Sequence, residues 1–151
     1  MIVTLKCLGT TLNQQYMYVD GLTQDGLVRL APNTNQPYTG TRWHCVDLEW
    51  GAVALKCLGN TVNPQHMYLD GRTQDGTIGL APNTDKPYSG THWNIIGLAD
   101  GSYALQCLGS IPNWQHVYLD GRTQDGTIGL SPNTAPPYSG AHWQIIPVLY
   151  P

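Results

Sequence analysis

Three aspartates, Asp20, Asp70 and Asp120, stand fifty residues apart in this chain, and each is followed by glycine and a short polar run. The groups around them recur in order. Around Asp70 come Arg72, Asp75, Asn83, Tyr88 and His92, and around Asp120 come Arg122, Asp125, Asn133, Tyr138 and His142. The first set holds Asp20, Asp25, Asn33, Tyr38 and Arg42, with Leu22 where the other two have arginine. A carboxylate accepts hydrogen bonds from two neighbouring hydroxyls, and charge-assisted bonds are the stronger ones. An aromatic face covers the C–H side of a sugar ring, and amide, guanidinium or imidazole groups complete the selection. Each set therefore holds the ingredients of a carbohydrate site. Every member also has a local use. An Asp before Gly closes a turn through its own backbone, as Asn83 does after Pro82. Arg72 can brace the hairpin against Asp70 or Asp75, and Tyr88 after Pro87 can pack over the fold. His92 adjoins Trp93, and strand alternation turns it to the face opposite the tryptophan. At these residues both readings stand.

Catalytic patterns are missing. There is no Gly-x-Ser-x-Gly, no His-Glu-x-x-His and no glycine-rich phosphate loop, and no nucleophile recurs beside a His and an Asp. The expectation is a binding protein, not an enzyme, without cofactor or metal. Charged residues make up 11% of the chain and the formal net charge is −3, which argues against a nucleic-acid partner, since that needs clustered Lys and Arg. No apolar run approaches the roughly 20 residues that span a bilayer. The start, MIVTLKCLG, lacks a basic region ahead of a long apolar core, so no signal peptide is read. Cys7, Cys57 and Cys107 are equivalent by the period, while Ile95 and Ile145 stand where Cys45 would recur. The expected state is four reduced cysteines used as small core hydrophobes, with Cys45 buried. Reduced cysteines lean towards a cytoplasmic protein.

The elements that position these groups follow from the period. Lys-Cys-Leu-Gly at 6–9 and 56–59 returns as Gln-Cys-Leu-Gly at 106–109, and DGRTQDGTIGL at 70–80 repeats letter for letter at 120–130. The chain reads as three repeats, 1–50, 51–100 and 101–150, in one domain over 1–151 with a shared core, because fifty residues alone make a marginal core. In the second repeat, Val53 to Leu58 reads as a strand, Asn60 to Gln65 as a loop and His66 to Asp70 as a second strand. Gly71 to Gly76 reads as a turn, with Asp75-Gly76 as its hairpin signal. Thr77 to Ala81 is the third strand, Pro82 to Gly90 an ordered loop and Thr91 to Leu98 the fourth strand. No segment shows helical periodicity of useful length. Four strands in each of three copies predict twelve; three four-stranded blades are too few to close a propeller, and the array points to an all-β fold of the β-trefoil type, a barrel capped by three hairpins, with another β-sandwich or barrel as the alternative.

These residues also carry a resemblance. Tyr-Leu-Asp-Gly at 68–71 and 118–121, a turn, Gly-Thr-Ile-Gly-Leu, a Pro-Asn loop and a closing Trp at 43, 93 and 143 resemble the ricin-B-type β-trefoil lectins, in particular their small members with three near-identical repeats. The resemblance spans all three copies and implies a β-trefoil that binds glycans, with Asp20, Asp70 and Asp120 at a sugar-contacting position. The departures are specific. The family closes with Gln-x-Trp, where this chain has Thr41, Thr91 and Ala141. An Asn often precedes that Gln, and here it is Gly40, Gly90 and Gly140. The stacking aromatic at the end of the third strand is replaced by Ala31, Ala81 and Ser131, so Tyr38, Tyr88 and Tyr138 are the substitutes proposed for it.

The function expected from sequence is thus a lectin or lectin-like module with up to three glycan sites, whose partners are mono- or oligosaccharides. The ligand-binding candidates are Asp20, Asn33, Tyr38, Asp70, Arg72, Asn83, Tyr88, His92, Asp120, Arg122, Asn133, Tyr138 and His142. The alternative is a β-trefoil that binds protein, as a hydrolase inhibitor or a structural module, without sugar. Its nearest support is the unlike loop at Pro112-Asn113-Trp114, where Trp114 replaces Gln14 and Pro64. A second recurrent set, Asn63, Gln65, His66 and Tyr68 with its equivalents, is expected to tie down the loop between the first two strands.

Overall fold

The protein, represented by a computed structural model, is described over residues 1–9, 13–60, 63–110 and 113–149. Twelve strands run through them: β1 (Ile2–Cys7), β2 (Tyr18–Leu22), β3 (Leu27–Ala31), β4 (Trp43–Asp47), β5 (Val53–Cys57), β6 (Tyr68–Arg72), β7 (Thr77–Ala81), β8 (Trp93–Gly97), β9 (Tyr103–Cys107), β10 (Tyr118–Arg122), β11 (Thr127–Ser131) and β12 (Trp143–Pro147). Six of them close a barrel. β1 pairs with β12 and β4, β5 with β4 and β8, and β9 with β8 and β12, all antiparallel. The other six form three outer hairpins, β2–β3, β6–β7 and β10–β11. Backbone bonds join the hairpins in a ring: the Leu30 N–H donates to the Gly126 carbonyl, Leu80 to Gly26 and Leu130 to Gly76, at 3.0–3.2 Å.

The β-trefoil expected from sequence is corrected to a closed six-stranded barrel with six outer strands. The reading treated each repeat as a four-stranded unit, but the strands regroup across repeat boundaries. The long barrel ladders join β4 to β5, β8 to β9 and β12 to β1, each pairing the last strand of one repeat with the first of another. Only the hairpin stays within its repeat, and it meets its own first strand at one residue pair, such as Lys56 with Tyr68.

The second strand also runs further than expected, from Tyr68 to Arg72 instead of from His66 to Asp70. The reason is the turn. The N–H groups of Asp75 and Gly76 both donate to the Arg72 carbonyl, and Gly76 takes a φ of 81°, which glycine adopts without strain. Arg72 therefore pairs with Thr77, and the turn shortens to Thr73–Gly76. The fourth strand starts at Trp93, because Ser89–Thr91 is a single 3₁₀ turn.

The core fixes the strand that carries each aspartate. Trp43, Trp93 and Trp143 are fully buried with Leu5, Leu55, Leu105, Val19, Leu69 and Leu119. Each indole N–H donates to the backbone of the second strand of its own repeat: Trp93 to the Leu69 carbonyl at 3.0 Å, Trp43 to Val19 at 3.1 Å and Trp143 to Leu119 at 2.8 Å. A buried indole needs such a partner, and here it clamps the residue just before Asp70. Gly71 then passes close over the core, where a Cβ would lie 2.7 Å from the Cys107 sulfur and 3.1 Å from the Trp93 ring. Cys7, Cys57 and Cys107 are buried free thiols, and burial pushes each up to about 11. Cys45, expected to be buried, is half-buried, as are Ile95 and Ile145 at its equivalent positions.

Candidate functional site

Each hairpin leans over the Pro–Tyr loop of its own repeat and leaves a cleft. Asp70, Arg72, Gln74, Asp75, Pro87 and Tyr88 are among the residues lining the second, which has a volume of about 330 Å³. The third, of about 440 Å³, presents the equivalent groups from Asp120 to Tyr138 and extends to Gln115 and His116. The first is the smallest, about 200 Å³, with Asp20, Asp25, Arg29 and Pro37 in its wall and Tyr38 outside it.

The glycine that departs from the lectin pattern belongs to this geometry. A Cβ on Gly90 would overlap the Gly71 carbonyl oxygen and stand 2.7 Å from Asp70 Oδ1. Gly40 and Gly140 meet the same obstruction from Gly21 and Gly121. An asparagine there is sterically excluded, so the loop carrying Tyr88 approaches the aspartate strand backbone to backbone.

The aspartates lie at the floor. Asp70 is 8% exposed and Asp120 7%, and no hydrogen-bond donor of the described residues reaches either carboxylate. Burial pushes both carboxyls above the usual range, partly offset by the positive charge of Arg72 or Arg122. Asp20, 1% exposed, differs: Arg29 Nε donates to its Oδ2 at 3.2 Å. Its carboxyl is likewise raised by burial, with the Arg29 bond and charge pulling the other way.

Asp75 and Asp125 line their clefts but serve the turn. Oδ1 of each accepts from the backbone N–H and the hydroxyl of the threonine two residues on, which holds the carboxyl below its usual value. The candidates from the next loop are not brought in. Asn33, Asn83 and Asn133 each accept the backbone N–H two residues on, at 2.9–3.0 Å, and lie outside the cleft walls. Asn after Pro builds its own turn there, the local competition such residues are known for. His92 and His142 are also outside, with Nε2 on the carbonyls of Thr84 and Thr134 at 3.0 and 2.8 Å. His142 Nδ1 further meets Asp100 Oδ2 at 3.0 Å. Arg42 lies in a separate hollow with Asn35 and Asn60. Strand alternation did turn these side chains away from the core, but towards their own loop. The second recurrent set ties down its loop: Asn13, Asn63 and Asn113 accept the N–H of Gln15, Gln65 and Gln115. Pro112 lies outside the described residues.

Two features of the clefts were missed from sequence. Gln24, Gln74 and Gln124 line all three, and their identity in every copy was the available signal. Arg29 was the other. Repeat 1 has Leu22 and Arg29 where repeat 2 has Arg72 and Gly79, and position 29 faces Asp20 across the hairpin. The arginine has not been lost from repeat 1 but moved to the partner strand, which only the strand register reveals.

Among the described residues no cluster of three or more metal-ligating side chains forms, and no helix is long and apolar enough to cross a membrane. No protein-family model matches the chain, and no curated protein matches it by sequence. Among solved structures it is similar to a GlcNAcα1-4Gal-releasing endo-β-galactosidase from Clostridium perfringens. The TM-score is 0.71 with 17% identity, over 97% of this chain and 32% of that one. The chain thus spans about a third of the solved protein's length, and at this identity the likeness shows the fold alone. Together with the observed strand pairing, this likeness overturns the β-trefoil expected from sequence. The fold stands as an all-β closed barrel of six strands with six outer strands.

Proposed function

We propose that the protein is a carbohydrate-binding module of lectin type, which holds glycans in clefts beside its outer hairpins. One observation carries this reading. Asp70 and Asp120 are buried carboxylates that no protein donor satisfies, and both open onto a cleft. Their oxygens are open to the cleft and not sealed in the core, so the adjacent hydroxyls of a ligand can donate to them there in place of water. Arg72 or Arg122 and Tyr88 or Tyr138 stand in the same wall to complete the contact. Triplication supports binding without catalysis, since linked weak sites gain avidity. The fold is shared with about a third of an enzyme named for releasing GlcNAcα1-4Gal, which makes galactose- and N-acetylglucosamine-containing glycans the first to try.

The test is a glycan array with the labelled protein beside an Asp70→Asn/Asp120→Asn variant. Binding to one glycan class should fall at least about tenfold in the variant, since a hydrogen bond to a charged group contributes about 1.5–3 kcal/mol. A folded protein that stays blank across the array ends the glycan reading. A second reading then takes over, a module that docks on protein. The exposed Trp50 and Trp114, 97% and 86% accessible, favour it, because tryptophan is enriched among interface hot spots.

A further inference from the structure

We infer that the protein has two working glycan sites and not three, because Arg29 closes the first cleft from within. This rests on the glycan reading above. The three clefts share a plan, but their arginines come from different strands. Arg72 and Arg122 sit two residues after the aspartate on the same strand, and their guanidinium groups lie over Gly79 and Gly129 opposite. A Cβ on those glycines would come within 2.6 Å and 3.0 Å of the guanidinium nitrogens. Among the described residues neither arginine forms an ion pair with its aspartate, and neither Tyr88 nor Tyr138 is covered by a cation. In repeat 1 the glycine is Arg29 itself. Its Nε bonds Asp20 Oδ2 at 3.2 Å, and its guanidinium carbon lies 5.8 Å from the centre of the Tyr38 ring. One side chain thus takes both the acceptor and the aromatic face that a sugar would use.

The dimensions agree. The first cleft measures about 200 Å³ against about 330 and 440 Å³, and Tyr38 does not reach its wall, whereas Tyr88 and Tyr138 do. The Arg29 side chain is 50% exposed and its Asp20 partner 2%, so the guanidinium forms the lid and the carboxylate lies beneath it. A sugar entering the first cleft must displace a charge-assisted bond and a cation–π contact together. That weakens binding there by at least about tenfold relative to the other two.

The test is an amide titration of the ¹⁵N-labelled 151-residue chain with galactose, N-acetylgalactosamine, N-acetylglucosamine, mannose and sialic acid in turn, following Gly21, Gly71 and Gly121, one in each cleft. The amides of Gly71 and Gly121 should titrate with at least one sugar, and Gly21 should stay still or respond only at tenfold higher concentration. The Leu22→Arg/Arg29→Gly variant gives repeat 1 the pair found in the other repeats, so it is compatible with the same hairpin, and its melting curve confirms folding. In it Gly21 should titrate beside the others. Gly21 responding equally in the wild type overturns the closure and leaves the glycan reading standing. A folded variant whose Gly21 stays silent overturns Arg29 as the cause. If no glycine responds to any sugar, the glycan reading falls and this inference falls with it.

Discussion

Asp70 and Asp20 occupy equivalent places, yet only Asp20 has a protein partner, so changing each to asparagine separates the cost of a buried charge from the worth of an ion pair. Burial raises the Asp70 carboxyl above its unfolded value, so the folded protein keeps this proton to higher pH than the unfolded chain does. The resulting contribution to stability is fully present below the unfolded pKa and is lost as pH rises through the folded one. Near neutral pH the ionised Asp70 is therefore a net burden on folding, and Asp70→Asn keeps the shape while deleting the charge. The gain should be about 1 kcal/mol, in the range usual for such relief. Asp20→Asn removes a charge at the same depth but forfeits the 3.2 Å bond from Arg29. Arg29 is half exposed and water takes over its charge, so that loss falls at the low end for a charged hydrogen bond, about 1.5 kcal/mol. For a domain of this size Asp70→Asn should melt roughly 2–4 °C above wild type and roughly 3–6 °C above Asp20→Asn. Differential scanning calorimetry near neutral pH reads both. In acid below the ~3.9 of an unfolded aspartate, Asp70 is protonated in either state and its advantage over wild type should close. If the two variants melt together near neutral pH, or if Asp70→Asn melts below wild type, the account of the open carboxylate is wrong.

Other consequences can be checked on the same material. Gly90→Ala places a methyl group against the Gly71 carbonyl and Asp70 Oδ1, so it should cost about 1–3 kcal/mol of stability by urea titration, as overpacking does; an unchanged midpoint would contradict the close approach of loop and strand. Trp50 holds a φ of 64° in the open, a conformation that costs an ordinary residue about 1 kcal/mol, whereas asparagine tolerates it. Trp50→Asn should therefore raise the melting temperature by roughly 2–4 °C, and a fall would count against that backbone geometry. Acrylamide should quench Trp50 and Trp114 and spare the fully buried Trp43, Trp93 and Trp143. A linear Stern–Volmer plot covering all of the emission would show that the three core indoles are not sealed.

The period of fifty was legible from the letters alone, and with it the equivalence of the three aspartates and the third-strand boundaries. Those features depend on local alternation and on turn residues such as Asp75-Gly76, which act over a few positions and leave a trace in sequence. The barrel was less legible. The ladders that close it run between repeats, and pairing at a distance is chosen by the whole core rather than by any one segment. For the site, the sequence supplied Asp70, Arg72 and Tyr88 but could not separate them from Asn83 and His92, because all five are polar or amphipathic side chains at recurring positions. Tertiary structure separates them: Asn83 spends its oxygen on the Asp85 N–H and His92 its Nε2 on Thr84, while Asp70 is left open at the bottom of a cleft. It likewise decides that Leu22 is not the loss of an arginine. Strand register sets Arg29 opposite Asp20, and a charge moved across a hairpin can be seen only once the two strands are paired.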